Sequence, residues 1–370
     1  MGHIKVLVGY ISRDFGGVES FFLNHCSKID RDLITIDFLC CEKKAACEDA
    51  MKRLGSKIHY VTAPGENISK YYRDLEAVIS NGSYNIFHLN LTRFKLPIDV
   101  ILAKRFGMKV ILHSHSTQVY KAKSFVGQSK RILEHYLFKG ITLRNADMYM
   151  ACSLNAKNFL FGKRKTHILY NGINSSEYTY SDSKRFKIRD ELNLNENIVI
   201  GHIGRMSSEK NHGFIIKIFQ EIYKINKQAR LLLVGDGDLK ESLKNKVKEM
   251  NLEPYVIFTG IRHDVADLLS AMDVFLFPSI HEALPISLLE AQASGLRCVV
   301  SDKVTKEIDV TRDIIFISLD EDIKCWVQAV IEQTKSIRVN NKEKMMKSGF
   351  DISDTIIKLQ DIYNSIIIVT

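Results

Sequence analysis

Short runs of consecutive apolar residues recur along the chain, separated by longer stretches in which apolar side chains return every three or four positions. The runs are strand signals and the longer period is a helix signal. In the first half the runs fall at residues 5–11, 33–40, 57–61, 85–89, 109–112 and 147–152, with helices expected from Ser20, over 71–80 and ahead of Lys109. In the second half they lie at 198–205, 229–234, 256–262, 273–279, 297–302 and 314–318. There Asn211 is placed to cap a helix whose Phe214, Ile215, Ile218, Phe219 and Ile222 share one face. Trp326, Val327, Val330 and Ile331 mark another helix, and a last one is expected over 352–367. A short strand ends in a turn at 167–173, and the residues after it to about Asn195 are polar and charged, lack a strong apolar period and read as a connection.

Strands alternating with helices imply mainly parallel sheets covered on both faces, the α/β class. The alternation runs twice, so the chain divides into two Rossmann-like domains, 1–170 and 171–351. Its 370 residues suit that division at roughly 100–200 residues per domain. Ligands of such sheets collect at the carboxyl ends of the strands, so candidate chemistry is sought there.

Composition narrows the class. No window reaches the roughly 18 uninterrupted apolar residues of a membrane span. Met1 leads straight into the first strand without signal-peptide anatomy. Seven cysteines, an odd count without metal-ligand spacing, read as reduced thiols in a cytoplasmic protein. A net charge of +9 points to anionic partners. Neither a zinc finger nor an RNA-binding aromatic motif is present, which sets nucleic acid aside. Between Thr117 and Leu143, Lys121, Lys123, Lys130, Arg131 and Lys139 alternate with Ile132, Leu133, Tyr136 and Leu137. That basic amphipathic segment suits either the inner face of an anionic membrane or ordinary packing on the sheet.

Five places carry candidate chemistry. After the 273–279 run, the stretch from His281 to Glu290 places Glu282 in a loop and Pro285 at the first turn of a helix. The Ile286 and Ser287 amides are then left free for an anion, and Glu290 lies deeper in the helix. On spacing alone the two glutamates equally suit a solvated helix end. Gly16-Gly17 follows the first strand and opens a helix, as a tight turn or a close approach of ligand to backbone. It is not a dinucleotide fingerprint. His113 and His115 end another strand; a lone histidine there is usually structural, two opening on a loop better suit a ligand-facing cleft, and as a metal pair they lack a third ligand nearby. His88, also assigned to a strand end, reads as packing. Gly204-Arg205 close the 198–205 run and Lys210 lies in the loop after it, and residue types of that kind bind phosphate. Asp236-x-Asp238 resembles a metal-binding pair, but Gly237 makes it a turn.

Together these residues resemble the retaining glycosyltransferases of the GT-B fold, family 4 type, particularly those of bacterial surface polysaccharide and exopolysaccharide synthesis. The resemblance covers nearly the whole chain. It implies two Rossmann-like domains facing across a cleft, with the C-terminal segment 352–370 crossing back onto the first, acceptor-side domain after the Asn171-Gly172-Ile173 crossing. The implied reaction is metal-independent hexosyl transfer, without a cofactor, from a nucleotide diphosphate, UDP by family prevalence. The implied acceptor is a hydroxyl of a glycan or a polyprenyl-linked sugar. By the same resemblance Gly16 and Gly17 lie beside the donor phosphate, and His115, with His113 second, lies near the transferred sugar. Gly204, Arg205, Lys210 and the Leu284-Pro285-Ile286-Ser287 loop take the diphosphate, and backbone at Ile261 and Arg262 takes the base. Glu282 binds hydroxyls of the sugar and Glu290 those of the ribose. The chain departs from the pattern at Ala283, where the family has glycine, and at Gly295-Leu296-Arg297, where it has Gly-Leu-Pro. A nucleotide-sugar epimerase of the same fold and a non-catalytic nucleotide-sugar-binding partner are the competing readings.

Overall fold

A computed structural model describes residues 2–13, 16–119, 124–282 and 284–368, apart from the side chain of Phe125. Lys121, Lys123 and Ala283 therefore lie outside the described residues. The chain forms two compact units, one running to Gly172 and including the segment from Ile352 onward, the other Ile173–Asp351.

The first unit is built on a seven-stranded sheet of β1 (Ile4–Ile11), β2 (Ile34–Cys40), β3 (Ile58–Tyr60), β4 (Ile86–Leu91), β5 (Lys109–Ser114), β6 (Met148–Ala151) and β7 (His167–Ile168). Their order is β3-β2-β1-β4-β5-β6-β7, and the recorded pairings are parallel. Alternate residues of β1 feed two cores. Val6 and Val8 pack with Phe21, Phe22 and Phe38 on one face, and Leu7 packs with Phe87, Leu89 and Leu112 on the other. The last helix, Ile352–Ile368, belongs to the first of these cores through Leu359, Tyr363 and Ile366. At about 2 kcal/mol per buried apolar side chain, those three outweigh the helix's hydrogen bond between Tyr363 and His88, worth about 1 kcal/mol. His88 sits within β4 and is fully buried, bridging Tyr363 and His113.

The second unit holds a six-stranded parallel sheet of β8 (Ile198–Ile203), β9 (Ala229–Val234), β10 (Val256–Gly260), β11 (Val274–Phe277), β12 (Arg297–Ser301) and β13 (Ile314–Ile317). Its order is β10-β9-β8-β11-β12-β13. In both sheets the first strand is central, and the winding reverses beside it: between β1 and β4, and between β8 and β11. That reversal opens a crevice at the strands' carboxyl ends.

Two local readings are corrected. The polar stretch read as a connection contains a helix, Asp182–Glu191, capped by Ser181. Arg185 and Arg189 both pair with Asp273 at 2.7 Å and bond carbonyls at residues 270–272, so charge rather than an apolar stripe anchors it. Asn211 stands at the start of the His212–Ile225 helix but does not cap it with its side chain. Its φ is 57°, and its amide instead donates to the Pro278 carbonyl at 3.1 Å.

Candidate active site

The loops after β8 and β11 emerge side by side at the reversal of the second sheet, and three bonds lace them together. The Ile280 N–H donates to the Glu209 carbonyl at 2.8 Å, Asn211 reaches Pro278, and Lys210 Nζ lies 2.6 Å from Glu282 Oε1. Lys210 also sits 4.8 Å over the Phe277 ring. Two residues about seventy positions apart thus share one point, with side chains only 18% and 13% exposed. Gly204 permits this. A Cβ there would lie 3.3 Å from the Lys210 stem and 3.1 Å from His202 Nε2. The turn after β9 presses on the same loop: Met206 N–H bonds the Asp236 carbonyl at 2.8 Å. Gly235 and Gly237 have φ of +131° and +157°, and a side chain at either would strike backbone of Gly204 or Met206. That contact is why glycines flank Asp236, whose carboxylate is bonded to Lys240 at 2.6 Å and to the Gly237 amide.

Arg205 is exposed at the tip of this loop. Burial pushes the Glu209 carboxyl up, but hydrogen bonds from its own amide and Ser207, with the Arg205 charge, bring it below its ordinary value. Beneath Lys210 lie His202 and His212, both buried, their rings 4.7 Å apart. Burial, with the neighbouring Lys210 charge, lowers His212 to about 4 and His202 well below its usual value, so both stay neutral. Sequence patterning missed this pair, since each histidine lies in an otherwise apolar element.

The helix after β11 runs Ile286–Ala293 with Pro285 as its N-cap residue, one position before the first turn where the sequence placed it. Leu288 N–H bonds the Pro285 carbonyl at 3.2 Å; the Ile286 and Ser287 amides precede that first bond, at the positive end of the helix. Leu284 and Pro285 are buried. One turn further in, Glu290 accepts a 2.8 Å hydrogen bond from Tyr178. Burial raises the Glu290 carboxyl to about 7 against the opposing pull of that bond. Tyr178 was not singled out in the sequence, because it falls in the stretch read as a connection. Gly295, φ +75°, ends the helix turn, and Arg297 pairs with Asp313.

At the end of β10, Ile261 is 69% exposed. The Arg262 guanidinium is held by Glu191 and Asp264, each at 2.6 Å, which leaves backbone as the group this segment offers.

The remaining candidates belong to the first unit. Gly16 is the N-cap of the Gly17–Cys26 helix, and buried Glu19 bonds the Gly16 amide at 3.1 Å and the Ser12 amide at 2.8 Å. The glycine pair is exposed on a loop pinned from within. Phe21 of this helix makes edge contacts with His113 and His115, at 5.3 and 6.1 Å between ring centres. His113 is fully buried; His115 lies against it with ring centres 3.9 Å apart and planes tilted by 45°, and bonds Asn90 through Nε2 at 2.9 Å. Burial lowers His115 to about 3, so its imidazole is neutral at physiological pH. Among the described residues no group of three His, Cys, Asp or Glu side chains is placed to hold a metal ion, and no helix is long and apolar enough to cross a membrane.

Comparison with known proteins bears on this arrangement. Residues 15–177 match the family model described as Glycosyltransferase Family 4, and residues 197–335 match that of Glycosyl transferases group 1. A putative glycosyltransferase EpsF of Bacillus subtilis is 28% identical over 363 residues, covering 94% of this chain and 93% of the relative. The UDP-Gal:alpha-D-GlcNAc-diphosphoundecaprenol alpha-1,3-galactosyltransferase of Escherichia coli is 24% identical, covering 99% and 98%. Among solved structures, Anabaena Alr3699/HepE in complex with UDP and glucose superposes with a TM-score of 0.80 at 19% identity, over 98% of this chain and 100% of that one. Sucrose-phosphate synthase of Thermosynechococcus elongatus gives 0.77 at 16% identity, over all of both chains.

Proposed function

Because the chain belongs to the family 4 glycosyltransferases of the GT-B fold, we propose that it moves a hexose from a UDP-sugar to a hydroxyl of a lipid-linked glycan, with the anomeric configuration retained. The observation that carries the donor side is the meeting of Lys210, Glu282 and the open Pro285 helix end at the sheet reversal. Arg205, Lys210 and the Ile286 and Ser287 amides take the diphosphate, where negative charge grows as the bond to the sugar breaks. Glu282 accepts from hydroxyls of the hexose, and Glu290 from those of the ribose. Gly16 and Gly17 admit the phosphate close to backbone. Neutral His115 hydrogen-bonds the sugar and does not act as an acid.

In this reading the bond from the anomeric carbon to the phosphate oxygen breaks, and one to the acceptor oxygen forms on the same face. The acceptor's proton goes to the departing phosphate. Cations and amides carry the leaving group, so turnover should persist in EDTA. A relative named for UDP-galactose and a diphosphoundecaprenol acceptor, and a neighbour solved with UDP and glucose, support the choice of substrates.

The Phe125–Arg144 helix supports contact with an anionic membrane on the cytoplasmic side. Val126, Leu133, Tyr136 and Leu137 are 62–78% exposed along it, with Lys130, Arg131 and Lys139 among them. Vesicles containing phosphatidylglycerol should bind the protein at low salt more tightly than neutral vesicles, and equal binding would remove this element.

The test of the reaction is incubation with UDP-sugars and GlcNAc-diphosphoundecaprenol, following UDP release and the anomeric coupling of the product. An α-linked product from an α-linked donor supports the reading. An inverted linkage, an epimerised free sugar, or binding without turnover across a range of acceptors contradicts it.

A further inference from the structure

At the winding reversal of the first sheet, beyond the ends of β1 and β4, lies a recess of about 60 Å³ whose lining includes Tyr10, Asn90, Thr92, Lys95 and Asp99. Asn90 is the link to the candidate site. Its Oδ1 is bonded to His115, while its Nδ2 is buried without a hydrogen-bond partner. A buried amide nitrogen left unpaired costs about 1–3 kcal/mol, so a ligand oxygen that accepts from it gains that much in binding. Opposite in chemistry is Asp99, 9% exposed, with one oxygen on the Val100 amide at 2.9 Å and the other 3.5 Å from the Tyr10 hydroxyl, too long for a strong bond. Tyr10 also shares a hydrogen bond with the hydroxyl of Tyr71. The recess thus offers one unpaired donor, one under-used acceptor and an exposed Lys95 at its rim.

That mixture selects a ligand. A phosphate would meet the Asp99 carboxylate, and a cation would meet Lys95. Groups that both give and accept hydrogen bonds satisfy both walls, and hydroxyls do so. A recess of about 60 Å³ holds more than one water-sized group, so hydroxyls on the edge of a sugar ring fit it. Burial raises the Asp99 carboxyl to about 6, against the opposing pull of the Val100 amide and the Lys95 charge.

The geometry points to this recess as the seat of the acceptor's terminal sugar, two of whose hydroxyls bond Asn90 Nδ2 and Asp99. The inference rests on the glycosyl transfer proposed above, but it is tested without turnover. Saturation-transfer NMR is run with methyl α-N-acetylglucosaminide and methyl α-galactoside on the full chain, with UDP titrated separately. The expected result is binding of at least one glycoside, weakened tenfold or more in Asp99→Asn and several-fold in Lys95→Ala, with UDP affinity unchanged in both. Lys95 is exposed, so its variant keeps the test valid if Asp99→Asn does not fold. Absence of glycoside binding to the wild type, or binding equal in the variants, overturns the assignment. A failure of transfer with glycoside binding intact would count against the reaction and not against the recess.

Discussion

At the scale of single residues, the two glutamates of the 282–290 stretch have different environments and so different roles. Glu282 is paired with Lys210. Glu290 carries a carboxyl raised to about 7 by burial, held by Tyr178. A raised carboxyl means the folded protein holds its proton more tightly than the unfolded chain does. Its stabilising contribution is therefore present at low pH and is lost as pH climbs from the ordinary carboxylate range through about 7. Glu290→Gln should accordingly gain in melting temperature relative to the wild type between pH 5 and pH 8; a difference that stays constant across that range would show Glu290 to be ionised throughout. The sequence made both glutamates visible through their spacing. It hid their partners, because Tyr178 lies some 110 positions from Glu290, in a stretch with no apolar period, and only the folded chain brings them together. Arg262 shows the opposite limit. Its position after a strand was legible, but the binding of its guanidinium to Glu191 and Asp264 was not.

At the scale of elements, most strands were legible because parallel strands buried on both faces are unbroken apolar runs. The Asp182–Glu191 helix was not, because a cluster of charge holds it. Asp273 takes Arg185, Arg189 and the Val199 amide, and Arg185, Arg189 and Arg338 together cover carbonyls at 269–272. Asp273→Ala would leave Arg189 buried without its counter-ion, and should destabilise the second unit by about 3 kcal/mol in urea unfolding. A loss under about 1 kcal/mol would assign the cluster to the surface class of ion pairs. The turn after β9 makes a sharper case. Gly235→Ala places a methyl against the Gly204 carbonyl at a φ that alanine rarely adopts. The β8 loop must then move, and UDP binding should fall at least tenfold while circular dichroism is retained. Unchanged binding would show that the loop's position is immaterial to the donor.

For the whole molecule, the double strand-and-helix alternation was readable because each unit repeats the same winding, with its first strand in the middle. The basic character of the chain was equally plain, and Lys130, Arg131 and Lys139 on the Phe125–Arg144 helix carry part of it beside an exposed apolar stripe. What patterning could not supply was depth: His88 and His113 looked like strand-end residues, and both are fully enclosed, one of them tied to the last helix. The central claim is that cations and amides of the second unit hold a sugar donor's diphosphate. Calorimetric titration of UDP into the wild type, Arg205→Ala and Lys210→Ala tests it most directly. One charge-assisted bond lost is worth about 1.5–3 kcal/mol, so each variant should bind UDP at least about tenfold more weakly than the wild type. UDP affinity that is the same in all three proteins would contradict the account.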